Sequence, residues 1–308
     1  MRIAPFPFAV RRIAETVRNS LFSGKVFAVG GSVRDALLYP DISVDESIAD
    51  DIDLVVEGDS GALVDLLVQQ GIADGPAAVY ANFGTAQVRI EGQKVELVTA
   101  RKESYRGESR KPTVEPATLL EDATRRDFTV NALLRNIETG EIVDPLGSGL
   151  ADLEDRVLRT PLDPGETFSE DPLRMLRAIR FRHKLGFTPA EGLYEAIREN
   201  AHRLSIVSAE RIQEEFAKTL LGPNPAEALR DYERTGLLAE IFPEFLPTIG
   251  CDHGLYHHLD VWDHTLAVVD KISRPSLALR LAALFHDVAK PQTKTIEPSG
   301  RPRFFGHE

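Results

Sequence analysis

Two acids at the head of an apolar run, Asp51-Ile52-Asp53 leading into Leu54-Val55-Val56, constrain this chain more than any other feature. In a strand, residues two apart project from the same face, so the two carboxylates converge. Converging carboxylates repel unless a hard divalent cation sits between them, and oxygen donors of this kind suit magnesium. With a nucleoside triphosphate, such a site can run a two-metal displacement at the α-phosphate. Taken alone, the pattern also describes ordinary surface acid, so its context decides. Upstream, Gly30-Gly31-Ser32-Val33-Arg34-Asp35 lies between the apolar stretch Val26–Val29 and a helix-like stretch. Paired glycines there let backbone N–H groups approach phosphate, a helix N-terminus adds favourable partial charge, and Arg34 supplies a cation. A plain strand-to-helix turn is the alternative.

The order of patterns extends this core. A basic amphipathic helix is expected near residues 8–22 and another helix near residues 60–70. Two period-two stretches, Thr85–Ile90 and Lys94–Thr99, are joined by Glu91-Gly92 as a hairpin. These predict a small α/β unit with a mostly antiparallel sheet. From about residue 165 the pattern is helical, at Asp171–Leu185, Pro189–Ala201, Ala209–Leu220 and Pro225–Thr235, and no strand pattern recurs. A third block from about residue 250 is rich in histidine and has two apolar helices, Trp262–Ile272 and Leu277–Val288. The chain stops at Phe304-Phe305-Gly306-His307-Glu308 without a cap, which reads as a truncated longer protein.

Bulk properties exclude several classes. No run of ~18 apolar residues can span a bilayer, and Arg11, Arg12 and Glu15 interrupt any secretory core, so no membrane partner is expected. The lone Cys251 suits a reducing, cytoplasmic setting. A net charge of −12 argues against a protein that coats nucleic acid through a generally basic surface. Two basic islands, Arg101–Lys111 and Arg174–Lys184, are where a polyanion would bind, with a solvated face as the bland alternative.

The glycine turn to Arg34 followed by Asp51 and Asp53 resembles the opening signature of polymerase-β-like nucleotidyltransferases, in the version of the bacterial tRNA nucleotidyltransferase and poly(A) polymerase family. Further blocks of that family follow in order. Arg125-Arg126-Asp127-Phe128-Thr129-Val130-Asn131-Ala132 is similar to its second block, and Asp144-Pro145 through Gly149 to Asp152-Leu153 to its third. Glu170-Asp171-Pro172-Leu173-Arg174-Met175-Leu176-Arg177-Ala178-Ile179-Arg180-Phe181 is similar to the fourth. Glu210-Arg211-Ile212 through Glu214-Glu215-Phe216 to Lys218 and Leu220 is similar to the fifth. The resemblance implies an α+β chain in three parts. A small head with a mixed, mostly antiparallel sheet spans 1–160, an all-α neck and body spans 161–245, and the start of a helical HD domain spans 246–308.

It also implies addition of CMP or AMP from CTP or ATP to the 3′ end of tRNA with Mg2+. Asp51 and Asp53 would be catalytic, Gly30, Gly31 and Arg34 would cradle phosphate, Arg126 would contact triphosphate, and Asp127 would accept a ribose hydroxyl. Asp171 and Arg174, three apart on one helix face, can offer an acceptor and a donor together to a base edge. Cytosine and adenine share the complementary pattern and uracil and guanine oppose it; the resemblance implies this templating role. Arg177 and Arg180 would reach triphosphate or the RNA end. A structural alternative pairs Arg174 with Glu170 at the helix start. Glu96, in the adjacent strand, is a candidate third acid.

His264, His286-Asp287 and His307 resemble ligand positions of an HD-type metal phosphohydrolase, a candidate second divalent site that is incomplete because a fourth acid downstream is missing. His253, His257 and His258 read as surface residues. The run Asn82-Phe83-Gly84-Thr85, with no Arg-rich run after it, favours a tRNA enzyme over a poly(A) polymerase. The Glu103–Glu115 linker corresponds to the family's flexible region that helps switch from CTP to ATP. Two other classes compete: an HD phosphohydrolase with a nucleotide-sensing front, and a noncatalytic RNA-binding module, which would not need converging acids.

Overall fold

Helix α1 (Phe8–Val17) forms because Ala9, Val10, Ile13, Ala14 and Val17 recur on one face and are buried. It is shorter than the expected span, since Asn19 adopts a left-handed φ of 65° and the Ser20 hydroxyl donates to the Val17 carbonyl. The computed structural model describes residues 3–40, 51–106, 109–252 and 258–307, with the backbone alone for Asp51, Ala81, 103–106 and 109–114. The chain divides into two units, Met1–Asp163 and Pro164–Glu308.

Among the described residues, the first unit builds a seven-stranded sheet. Its members are β1 (Val26–Val29), β2 (Asp51–Val56), β3 (Ala78–Tyr80), β4 (Thr85–Ile90), β5 (Gln93–Thr99), a strand at Leu134–Asn136 and one at Ile142–Val143. The spatial order is β3-β4-β5-β2-β1, then Leu134–Asn136 and Ile142–Val143. Only β2 and β5 pair in parallel among these, so the sheet is mixed and mostly antiparallel. Glu91 and Gly92 have φ of 52° and 77°, as a two-residue hairpin turn with primed geometry needs, and Ile90 pairs with Gln93 to close it. Phe27, Val29, Val55, Ala100 and Leu134 form a buried cluster. Helix α2 (Gly31–Leu38) follows β1, and α3 (Ser60–Gln69) buries Leu63, Val64 and Leu67.

The stretch expected as a linker is instead an antiparallel ladder of β6 (Arg101–Arg106) and β7 (Ser109–Pro116). Its sequence is polar at nearly every position, so it lacks the apolar alternation by which a strand is recognised. Helix α4 (Leu119–Thr124) follows, started by a capping box between Thr118 and Glu121. After the short strands comes α5 (Gly149–Glu154).

The second unit is helical: α6 (Pro164–Glu170), α7 (Leu173–Leu185), α8 (Leu193–Asn200), α9 (Ala209–Leu220), α10 (Pro225–Arg234), α11 (Leu237–Ile241), α12 (Val261–Asp270) and α13 (Leu277–Phe285). Helix α7 starts at Leu173 rather than Asp171, because Asp171 Oδ1 accepts from the Leu173 amide at 3.2 Å and acts from outside the helix. It ends on Gly186 in the left-handed region, φ 68°. The rings of Phe216, Phe242, Phe245, Trp262 and Phe285 pack in contact, with Phe242–Phe285 centroids 5.6 Å apart and Phe245–Trp262 also 5.6 Å apart. These ring contacts span the boundary expected near residue 245. A short hairpin, Thr295–Ile296 with Pro302–Arg303, closes the described chain and was not foreseen.

Candidate active site

The acid pair and the glycine turn lie at the same end of the central strands β1 and β2. Strand β1 runs antiparallel to β2 with Ala28 opposite Leu54, so β1 ends where β2 begins. Beyond Val29, Gly30 has φ 78° and ψ −141°, a conformation that favours glycine, and Gly31 opens α2. Asp53 is exposed on a strand whose next three residues are buried. In the parallel pairing it is opposite Glu96 of β5, which sets both residues on the same face. Glu96 Oε2 accepts from Gln87 Nε2 at 3.3 Å. The Asp51 side chain lies outside the described set.

Arg34, expected to supply a cation to phosphate, is paired within the protein. It is 1% exposed, and its guanidinium is turned inward. Its Nε donates to Asp35 Oδ1 at 2.7 Å and its Nη1 to Asn131 Oδ1 at 2.5 Å. Asn131 Nδ2 in turn donates to Asp127 Oδ1 at 3.0 Å, and that oxygen also accepts from the Phe128 amide at 2.8 Å. A buried relay thus links the helix after the glycine turn to Asp127.

Arg126 and its neighbour Arg125 converge on Asp122. Arg126 donates through Nε (3.1 Å) and Nη2 (2.7 Å) to Asp122 Oδ2. Arg125 donates through Nε (3.0 Å) and Nη2 (2.6 Å) to Oδ1. Burial pushes the Asp122 carboxyl up, but the two guanidinium groups outweigh it and hold the group below its ordinary range. Two cations around one carboxylate leave a net positive charge here.

In the second unit, Asp171 and Arg174 are joined by a backbone bond, Arg174 N–H to Asp171 O, at 3.0 Å. The Arg174 side chain is 7% exposed and donates to the Thr167 carbonyl (3.3 Å) and to Glu170 Oε2 (3.4 Å), so the ion pair at the helix start is formed. Asp171 Oδ2 lies 3.9 Å from Arg211. Arg180 Nε donates to Glu215 Oε2 at 2.6 Å, and Arg177 and Lys218 each lie 3.6 Å from Oε1 of the same buried carboxylate. Arg177 and Arg180 of the basic island on α7 are therefore both paired with Glu215 of α9.

The histidine block also converges. Asp287, 3% exposed, is within 3.7 Å of His264 Nε2, 3.1 Å of His286 Nε2 and 3.6 Å of His307 Nε2. His286 Nδ1 faces the Ala283 carbonyl at 2.8 Å and His307 Nδ1 the Phe304 carbonyl at 2.6 Å, which leaves each Nε2 directed at Asp287. Lys290 Nζ donates to Asp287 Oδ2 at 2.7 Å. His258 is exposed; His253 and His257 lie outside the described residues.

Three of the residues that hold this geometry had no role in the sequence reading: Asp122, Asn131 and Glu215. Asp122 was legible in principle, since spacings of three and four to Arg125 and Arg126 put all three on neighbouring turns. Glu215 reaches Arg180 across 35 positions, which no local pattern reveals.

Residues 26–159 match the poly A polymerase head domain family, and residues 186–248 match the family described as a probable RNA and SrmB-binding site of polymerase A. The multifunctional CCA protein of Pseudomonas aeruginosa (strain LESB58) is 34% identical over 298 residues, which cover 92% of this chain and 67% of that protein. The chain belongs to the bacterial tRNA nucleotidyltransferase and poly(A) polymerase family. Within this family, a CC-adding tRNA nucleotidyltransferase of Thermus thermophilus is 40% identical over 201 residues, 61% of this chain and 45% of that protein. Among solved family structures, the Bacillus stearothermophilus CCA-adding enzyme in complex with CTP is similar with a TM-score of 0.63 and 31% identity, over 76% of this chain and 54% of that one. A tRNA nucleotidyltransferase complexed with a primer tRNA and an incoming ATP analog gives a TM-score of 0.60 at 26% identity, over 89% and 79%. The fold is that of the family, a polymerase-β-like head followed by a helical body. The chain spans 67% of the length of the Pseudomonas protein and about half that of the Thermus protein. No helix among the described residues is long and apolar enough to cross a membrane.

Proposed function

We propose that the protein transfers CMP, AMP or both from CTP and ATP to the 3′ end of a tRNA, releasing pyrophosphate. One observation carries the reading: exposed Asp53, in register with Glu96, lies at the end of the central strands where the Gly30-Gly31 turn opens α2. Relatives named for CCA and CC addition support it. The Asn82–Thr85 run favours tRNA over poly(A) synthesis.

Asp51, Asp53 and Glu96 would hold Mg2+, and an exposed acid opposite a second acid fits a hard cation. When bound, the ion supplies charge neutralisation at the α-phosphate. The chain's own groups do the rest. Amides at the start of α2 donate to phosphate oxygens, and Arg34 braces that helix against Asn131. Arg126 presents Nη1, which has no partner among the described residues, to the triphosphate. Asp127, steadied by Asn131, accepts a ribose hydroxyl. In the helical body, 161–245, Asp171 accepts the exocyclic amine of C or A while Arg174, released from Glu170, donates to the ring nitrogen. Arg177 and Arg180 serve the triphosphate or the RNA end.

A second centre is favoured by the convergence of His264, His286 and His307 on Asp287, which would hold a transition metal at the start of an HD domain, 246–308. Metal content after Mn2+ loading, lost in Asp287→Ala, tests it. The principal test incubates the protein with labelled CTP or ATP and tRNAs ending before CCA, after C, or after CC. Product length distinguishes CCA, CC and A addition. Long A tails on any RNA would favour poly(A) synthesis, and no incorporation on any substrate would sink the proposal.

A further inference from the structure

We infer that Asp122 is a positioning residue that sets the aim of Arg126 and the anchorage of the β6–β7 hairpin together. The part concerning nucleotide rests on the transferase reading above. Asp122 is 1% exposed and accepts five hydrogen bonds: two from Arg125, two from Arg126, and one at 3.3 Å from the amide of Arg101, the first residue of the hairpin. The carbonyl of that residue is held as well, by Arg125 Nε at 3.0 Å. Both backbone polar groups of the hairpin's first residue therefore end on the cluster that orients Arg126. The returning strand is tied nearby, since Ala117 N–H donates to Ala100 O at 2.8 Å and Thr118 then caps α4, the helix that carries Asp122. Lys102 and Glu115 pair across the ladder at 3.1 Å.

Ala100, just before the hairpin, is packed in the buried cluster, whereas Arg101 is fixed by hydrogen bonds. A cavity of about 690 Å³ lies against the hairpin root, with Ala100, Arg101, Pro116 and Ala117 on its wall. The hydrogen bonds to Asp122 and Arg125 thus fix Arg101, the residue beyond the packed Ala100. A carboxylate that merely neutralised a buried arginine would need one partner. Here it holds two and keeps both Nε and Nη2 of Arg126, which fixes the plane of the guanidinium and the direction of Nη1. A shift of the root would alter the Arg101 amide and so the carboxylate that aims Arg126.

The test uses the full chain with Asp122→Asn, Asp122→Glu, Arg126→Ala and the Asp122→Asn/Arg126→Ala double variant. Readouts are KM and kcat for CTP on a tRNA acceptor, plus amide hydrogen exchange across 101–116. Asp122→Asn is expected to raise KM about tenfold, the loss of a charge-assisted hydrogen bond, with kcat changed far less. Exchange at the Arg101 amide should accelerate. Asp122→Glu keeps the charge and is expected to keep the fold while still raising KM, because the carboxylate is displaced by one methylene. In the Arg126→Ala background, Asp122→Asn should change KM little further, since the effect passes through Arg126. A KM raised in Arg126→Ala but unchanged in both Asp122 variants overturns this proposal alone, as does unchanged exchange at the root. A KM unchanged in Arg126→Ala overturns the triphosphate role of Arg126 and this proposal with it. An inactive wild-type chain that still loses root protection in Asp122→Asn would defeat the transferase reading and leave the anchoring half standing.

Discussion

At the scale of single residues, the site is an arrangement of cations held by specific acids. Asp53 stands apart as an exposed acid on a strand whose other described side chains are buried, opposite Glu96. Asp53→Ala is expected to cut transfer by more than about 100-fold, at least the loss seen when an outer partner of a metal is removed. Thermal unfolding should stay unchanged, because an exposed side chain adds little to the core; a large drop in melting temperature with transfer intact would contradict the assignment. Arg174 must leave Glu170 to read a base, so Arg174→Ala should cost about 1–3 kcal/mol of discrimination among the four nucleotides, as a lost bidentate base contact does. Competition assays with mixed nucleotides measure it, and an unaltered incorporation ratio would exclude templating by that side chain. Asp51, Asp53, the paired glycines and the arginines were proposed from sequence because motif order and strand periodicity are local, whereas Asp122 and Glu215 were not. What could not be read was which arginine is spent on which acid. Arg34, expected to supply a cation to phosphate, is buried on Asp35 and Asn131. Its partner is 97 positions away, a tertiary contact that spacing cannot encode.

At the scale of elements, a buried carboxylate ties three helices of the second unit. Asp231 on α10 is 1% exposed and accepts from His183 of α7 and Tyr194 of α8, each at 2.7 Å, and from Arg182. Burial pushes its carboxyl up, yet these donors outweigh that and hold it below the ordinary range. A carboxylate depressed in the folded state stabilises fully above its unfolded value, about 3.9, and that stabilisation is lost as pH falls toward the lower folded value. Unfolding midpoints should therefore drop as pH falls below about 4, and Asp231→Ala should remove about 3–5 kcal/mol of stability at neutral pH. A variant that melts like the parent would show the network to be unimportant. Tyr194 is expected to stay protonated throughout, since burial raises its hydroxyl and Asp231 raises it further. The same elements mark the limits of sequence reading. Strands β4 and β5 alternate cleanly and were legible. The β6–β7 ladder carries no apolar period, so its residues gave no sign of strands against the linker that the resemblance implied. The hairpin at Thr295–Arg303 has strands of two residues each, too short for any period to register.

At the scale of the whole molecule, a net charge of −12 has to be reconciled with a polyanionic partner. The reconciliation lies in how the cations are kept. Arg126 and Arg125 sit on Asp122, Arg180 and Arg177 on Glu215, Arg174 on Glu170, and Arg230 on Asp263. These pairs are distributed over both units. Composition alone argued against a generally basic surface, and the structure gives that argument its form: positive charge is stored beside its own counter-charge. A phosphate that takes over one of these guanidinium groups evicts a carboxylate, and the evicted acid gathers a solution cation in its turn. Counterions shed by the RNA are thereby partly recaptured by the protein. The affinity for tRNA should then weaken with added KCl less steeply than the roughly 0.7–0.9 logarithmic units per contacted phosphate that bare lysines and arginines produce. The bound state would tolerate ionic conditions that strip an ordinary basic protein from its nucleic acid.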